Sequence, residues 1–126
     1  MVYFWVGLGG FIGAILRYSF GEFLYVPNQH FPFSTLAVNL MGAFVLALLT
    51  YGFVPRRKGA IQLQKALGTG LLGAFTTFST LSVETMELFQ QDEFFLGLLY
   101  LFSSVLGGFL FAGFGYRLAK TREVSP

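Results

Sequence analysis

Between Gly70 and Thr85 the chain reads GLLGAFTTFSTLSVET, six hydroxyl side chains and the carboxylate of Glu84 in an otherwise apolar run. Hydroxyls donate and accept hydrogen bonds, and a carboxylate accepts them or holds a cation. Five of the hydroxyls, Thr76, Thr77, Ser79, Thr80 and Ser82, fall within seven positions. Singly, each could bond back to the carbonyl one turn earlier. Clustered after Gly70 and Gly73, they make a poor helix and predict a membrane span broken near its middle. Such a break is tolerated only where protein or a water-filled cavity receives the freed backbone groups. The carbonyls it releases are hard oxygen ligands for a small cation.

Other polar residues stand in apolar surroundings. Asn39, in STLAVNLMG, follows Thr35 by one turn and serves either as glue between helices or as a donor to a bound anion. Tyr100 and Ser104 are four apart and share a helix face, which Gly108 and Ala112 continue. Arg17 lies late in the first apolar segment, where it either snorkels to the interface or holds an anion at a pore mouth. Glu22, about one turn further on, is a possible partner for it. Glu84 is costly in a span unless hydroxyls, water or a cation attend it, whereas Glu87 reads as interfacial. Enzyme chemistry is disfavoured: cysteine is absent, His30 is alone in a loop, and the Ser/Thr residues lack a base.

The elements that hold these residues are set by the solvent. The chain has 126 residues, 55% hydrophobic and 11% charged, with mean hydropathy +0.67, which is the composition of an integral membrane protein. Apolar segments at about 3–25, 33–54, 66–89 and 94–119 are each long enough to cross roughly 30 Å of hydrocarbon as a helix. The expectation is an all-α membrane protein, one four-helix transmembrane domain spanning 1–126 and surrounded by lipid. The first segment is read as a span and not a cleaved leader, because no basic residue precedes it and Arg17 and Glu22 sit late in it. Turns fall at Pro27–Pro32, Pro55–Gly59 and Gln90–Glu93, all too short to hold a domain. Gly59 to Lys65 alternates Ile61 and Leu63 with Gln62, Gln64 and Lys65, which suits an interfacial entry into the third span. Without cysteine there is no disulfide framework or soft metal site, and no basic, aromatic face suits nucleic acid.

Charge gives an orientation. If both termini and the second turn share a side, that side carries Arg56, Arg57, Lys58, Lys65, Arg117, Lys120 and Arg122, against His30, Asp92 and Glu93 opposite. By the positive-inside rule the termini face the cytoplasm. Glycines at 7, 9, 10 and 13, at 68, 70 and 73, and at 107, 108, 113 and 115 supply faces where helix backbones can touch. Four helices have little interior in which to hide Asn39, Glu84 and the hydroxyls, so oligomerisation is expected.

Taken together, GGFIGAILRY (Gly9 to Tyr18), STLAVNLMG (Ser34 to Gly42), GLLGAFTTFSTLSVET, and Tyr100 with Ser104 resemble the Fluc fluoride channels of bacteria, in order along the whole chain. The resemblance implies an antiparallel dimer in the bacterial inner (plasma) membrane, with two narrow pores for fluoride and a central structural sodium ion. It implies that main-chain carbonyls of Gly73 and Thr76 hold the sodium at the dimer axis. Phe78 would point its ring edge at fluoride, Asn39 would donate to the anion or its water, and Tyr100 and Ser104 would begin a polar track. Arg17 and Glu84 match the family's arginine in the first helix and its acidic residue after the hydroxyls; Thr80 belongs to the same pathway. Fluoride is small and tightly hydrated, so a pore must replace its water with donors, to which a ring edge adds weakly.

Three departures qualify the likeness. Leu81 stands where the family has a second pore phenylalanine, and Gly108 and Ala112 stand where hydroxyls usually continue the track. One pore rim is therefore expected to be impaired. The third is charge: a chain with seven basic residues on one side should insert one way only, whereas an antiparallel homodimer needs both orientations. The alternatives are a homodimer and a heterodimer with an oppositely inserted paralogue. A small multidrug-type proton-coupled exporter needs a carboxylate buried in its first helix, and Glu22 sits near the end beside Arg17. A scaffold protein would leave the broken span and Asn39 without a reason.

Overall fold

In a computed structural model that describes residues 1–53 and 56–123, the chain is an all-α membrane protein with four helical spans. Val54 and Pro55, expected at the end of the second span and in the second turn, lie outside the described residues, as do 124–126. Helix α1 (Val2–Leu24) is one span and α2 (Phe33–Gly52) the next. The third crossing is compound. It begins as α3 (Lys58–Lys65), widens into a π-helical segment (Ala66–Leu72), tightens into the short α4 (Gly73–Phe75), and resumes after two extended residues as α5 (Phe78–Gln90). Helix α6 (Phe94–Glu123) makes the last crossing and runs past Ala119.

Local chemistry sets the ends. Pro32 caps α2, where its missing N–H costs nothing, and Asn28 takes φ 68° in the turn before it. After α5, Asp92 adopts φ 60°, its N–H bonds the Phe89 carbonyl (3.2 Å), and the Glu93 N–H bonds the Leu88 carbonyl (2.8 Å). This left-handed closure satisfies the orphan carbonyls of α5 and turns the chain directly into α6.

Two pairings dominate the packing: α2 lies along α6, and α1 lies along the π-helical segment. The second pairing is made by glycine. A Cβ at Gly9 or Gly13 would strike the backbone of Ala66 or Leu71, and one at Gly70 would strike the Val6 carbonyl. Gly9 and Gly13 are one turn apart, so they form one strip on which backbone meets backbone, the usual way for spans to associate where no hydrophobic force acts between them. On the other pairing, Gly115 fits against the Phe44 carbonyl and Ala47, and Gly52 faces Ala119. These contacts put the ends of α2 and α6 together at the end that carries the basic residues. There Tyr51 meets Tyr116 edge-on (4.8 Å) and the Lys120 ammonium lies over the Tyr116 ring (4.8 Å).

A buried hydrophobic cluster sits at the opposite end, where Leu81, Leu88 and the fully buried Tyr100 are packed by Phe31, Leu36, Leu96 and Leu101. The exterior is apolar: Phe11, Phe23, Phe95, Phe109 and Phe114, among others, are exposed.

Candidate functional site

The interruption of the third crossing is where the chain departs furthest from a helix. Thr76 has φ −78°, ψ 154° and Thr77 φ −146°, ψ 120°, both extended. Extended residues inside a crossing need partners for their backbone groups, and one side chain supplies them for Thr77. The Asn39 amide nitrogen donates to the Thr77 carbonyl (3.0 Å) and its amide oxygen accepts from the Thr77 N–H (2.8 Å). Asn39 thus acts as a one-residue neighbouring strand, spending its oxygen and one N–H and keeping the other N–H.

Thr77 also caps α5: its Oγ1 accepts from the Thr80 N–H (3.2 Å), donates to Thr80 Oγ1 (3.1 Å), and lies 3.2 Å from Ser79 Oγ. These bonds release specific carbonyls. In an unbroken helix the N–H of Thr77 would bond the Gly73 carbonyl and that of Thr80 the Thr76 carbonyl. Both N–H groups are diverted to side-chain oxygens, so Gly73 and Thr76 lose their ladder partners. Thr76 stays tied to the preceding helix, its N–H and its Oγ1 each 3.0 Å from the Leu72 carbonyl, and its methyl group packs against Gly42 of α2. Gly73 is exposed on the chain's surface.

Two turns along α5, Glu84 has both carboxylate oxygens engaged. Thr35 Oγ1 donates to Oε1 (2.8 Å) and the Tyr100 hydroxyl to Oε2 (2.7 Å). Tyr100 is 0% exposed and is fixed by the Phe31 ring against its face (5.6 Å, perpendicular). Such charge-assisted bonds are shorter and stronger than neutral ones, which lets a carboxylate sit within a span.

Three helices therefore carry polar residues in step. Thr35 and Asn39 are one turn apart on α2, Tyr100 and Ser104 one turn apart on α6, and Glu84, Thr80 and Thr77 descend one face of α5. Hydrogen bonds tie Glu84 to α2 and α6, and Thr77 to α2. The result is a polar strip about 10 Å long, two helical turns, from Glu84 to the break. Its Glu84 end opens into a cavity of about 520 Å³ under the first turn, lined also by His30, Ser34 and Glu87. Ser104 Oγ is buried without a hydrogen-bond partner among the described residues, an available donor beyond Tyr100.

The remaining expected residues lie apart. Phe78, the first residue of α5, is 80% exposed, its ring pointing away from the chain. Leu81 is 8% exposed and packs in the core with Tyr100. Arg17 lies on α1 and takes part in none of these bonds, and among the described residues no ion pair joins it to Glu22. The two are five residues apart, about 140° around a helix, so their side chains diverge. Ser82 and Thr85 bond back to Phe78 and Leu81 and take no part in the strip.

Two participants carry more than the sequence assigns them: Thr35, read only as lying one turn before Asn39, donates to Glu84, and Thr77, read only as one of five clustered hydroxyls, takes both Asn39 bonds and caps α5.

The family model described as CrcB-like protein, Camphor Resistance (CrcB), matches residues 4–116. The chain is 41% identical over 119 residues to fluoride-specific ion channel FluC 1 of Bacillus cereus, covering 94% of this chain and 87% of that protein. It is 44% identical over 113 residues to FluC 1 of Desulfitobacterium hafniense, covering 90% and 98%. Against FluC 2 of Listeria innocua it is 40% identical over 120 residues, covering 95% and 92%.

Proposed function

The chain belongs to the CrcB-like family, and from that membership we propose that it is a fluoride-selective channel that lets cytoplasmic fluoride leave passively across the bacterial inner membrane. The observation that carries this reading is the polar strip from Glu84 to Thr77, joined to a cavity at one end and to the exposed Phe78 at the other. Fluoride entering such a strip exchanges water for hydroxyl and amide hydrogens: the free Asn39 N–H, Ser104 Oγ, and hydroxyls able to rotate. The edge of the Phe78 ring, positive by its quadrupole, adds a weak contact. None of these groups binds strongly alone, which suits an ion that must leave as well as enter. A larger halide is disfavoured by narrowness and by hard donors.

A single chain leaves Phe78 and Gly73 facing outward, so the pore is completed by a second subunit in the opposite orientation. The carbonyls of Gly73 and Thr76 suit a sodium ion at the axis between subunits, because the diversion of the Thr77 and Thr80 N–H groups frees hard oxygens there. Bound there, sodium would be held by the main-chain oxygens of Gly73 and Thr76 and would be structural, not transported. Asn39 and Thr77 hold the backbone that presents those oxygens.

A second reading is favoured by charge. Seven basic residues at one end commit the chain to a single orientation, so the partner is an oppositely inserted paralogue and not an identical copy.

Fluoride efflux from liposomes holding the purified chain, with chloride as control, tests the channel. A voltage-driven fluoride leak without chloride leak is expected; strict dependence on a proton gradient would move the reading to an exchanger. Silence alone, restored by a paralogue, supports the heterodimer.

A further inference from the structure

At the basic end, the walls of α2, α3 and α6 part to leave a groove of about 380 Å³ lined by Val45, Leu48, Leu49, Leu63 and Leu67, with Arg122 the one charged residue among the described residues that line it. We infer that this groove is a binding site for one anionic phospholipid, an acyl chain lying along Val45 to Leu49 and the phosphate held by Arg122.

The shape follows from how the elements meet. Gly52 brings the end of α2 against Ala119 of α6, and Gln64 of α3 donates to the Phe53 carbonyl (3.0 Å), drawing three helix ends together. Above that closure Gly68 meets only the tips of Leu46 and Leu49, so the wall between α2 and the third crossing is thin and aliphatic. Leu63 and Val45 are exposed at the rim, open to the surrounding acyl chains.

The occupant is chosen by charge and depth. Arg122 lies about one turn beyond Ala119 near the end of α6 and lines the groove, which sets a guanidinium beside an apolar slot, where it can snorkel to a lipid headgroup. Helix α3 adds the exposed Leu63 to the groove and carries Lys58 and Lys65 at its ends. Arg56, Arg57, Lys58, Lys65, Arg117 and Lys120 belong to the same end. That makes it a basic rim facing the cytoplasmic leaflet, where anionic lipids are attracted to juxtamembrane basic residues. A zwitterionic lipid would fill the slot but gain less from that charge, because its choline offsets its own phosphate and it carries no net charge toward the basic rim.

The test uses the full chain in detergent, titrated separately with palmitoyl-oleoyl phosphatidylglycerol and phosphatidylcholine, with retained lipid counted by native mass spectrometry. One phosphatidylglycerol per chain is expected, retained about fivefold over phosphatidylcholine, the effect of one basic residue near anionic headgroups. Arg122→Gln should abolish the preference, and Leu48→Trp, which fills the slot, should abolish retention of both lipids. Leu49→Phe serves as a second filler should Leu48→Trp fail to fold, as judged by gel filtration. Equal retention of the two lipids by the unmodified chain overturns the site. So does an equal loss of preference in Arg57→Gln, which would mean diffuse attraction to the basic end. Disulfide capture of two chains through Leu48→Cys would put a second copy in the groove and overturn it as well.

Discussion

Asn39 clasps Thr77 by both of its backbone groups, accepting from the N–H at 2.8 Å and donating to the carbonyl at 3.0 Å across 38 residues of sequence. Removing that clasp leaves two peptide groups unpaired inside the protein, at about 1–3 kcal/mol each. Asn39→Ala should therefore lower resistance to denaturant in micelles and abolish fluoride efflux. Efflux within twofold of the unmodified chain, on the order of 0.4 kcal/mol by the usual conversion, would rule out the clasp as what holds the break.

Glu84 gives the second prediction. Tyr100→Phe and Thr35→Val each strip one donor from a carboxylate oxygen and should each cost about 1.5–3 kcal/mol. Because both act on one group, the double variant should lose less than the sum of the singles. Strict additivity in a double-mutant cycle, read from denaturant midpoints, would show that the two hydroxyls do not share Glu84.

The two aromatic-rim positions should behave oppositely. Phe78 is 80% exposed, so Phe78→Ile should leave the subunit's own fold intact while fluoride efflux falls. Leu81 is packed on Tyr100, so Leu81→Phe should overfill the core and cost about 1–3 kcal/mol. Near-UV circular dichroism and efflux measured on the same preparations separate the two outcomes.

Glycine substitutions divide by what a Cβ would meet. Gly13→Ala drives a methyl into the Leu71 backbone and should cost about 1–3 kcal/mol or more, whereas Gly21 has nothing within 4 Å. Gly21→Ala should be neutral or stabilising by up to about 1 kcal/mol, the helix preference of alanine. Equal denaturation midpoints for the two variants would contradict the close backbone approach of α1 and the π-helical segment.

A cysteine placed at Thr121, exposed near the end of α6, reports insertion through its reaction with a membrane-impermeant thiol reagent. In cells making this chain alone, labelling is expected only after the cytoplasmic face is opened. Labelling from both sides would remove the charge argument for a paralogous partner.

The four spans were legible in the sequence because a bilayer demands long apolar runs, and such runs are visible in any window. The hydroxyl density around Thr76 and Thr77 likewise marked where regular helix would be hard to maintain. The partner of Asn39 was not legible: an amide one turn after Thr35 announces a need for hydrogen bonds, but which peptide answers it depends on how α2 meets the third crossing. The widened turn at Ala66–Leu72 was hidden for a related reason. ALGTGLL is an unremarkable apolar stretch, and its π geometry accompanies a contact with Gly9 and Gly13 more than fifty residues earlier. Leu81 could be matched to a position but not to a direction, since its inward packing on Tyr100 comes from α6.

The pairing of α1 with the π-helical segment, and of α2 with α6, also imposes an order on biosynthesis. A ribosome adding roughly 5–20 residues per second delivers each early span seconds before the one it will embrace. During that interval α1 presents bare glycine backbone, and α2 its asparagine, to whatever the insertion machinery or the lipid offers.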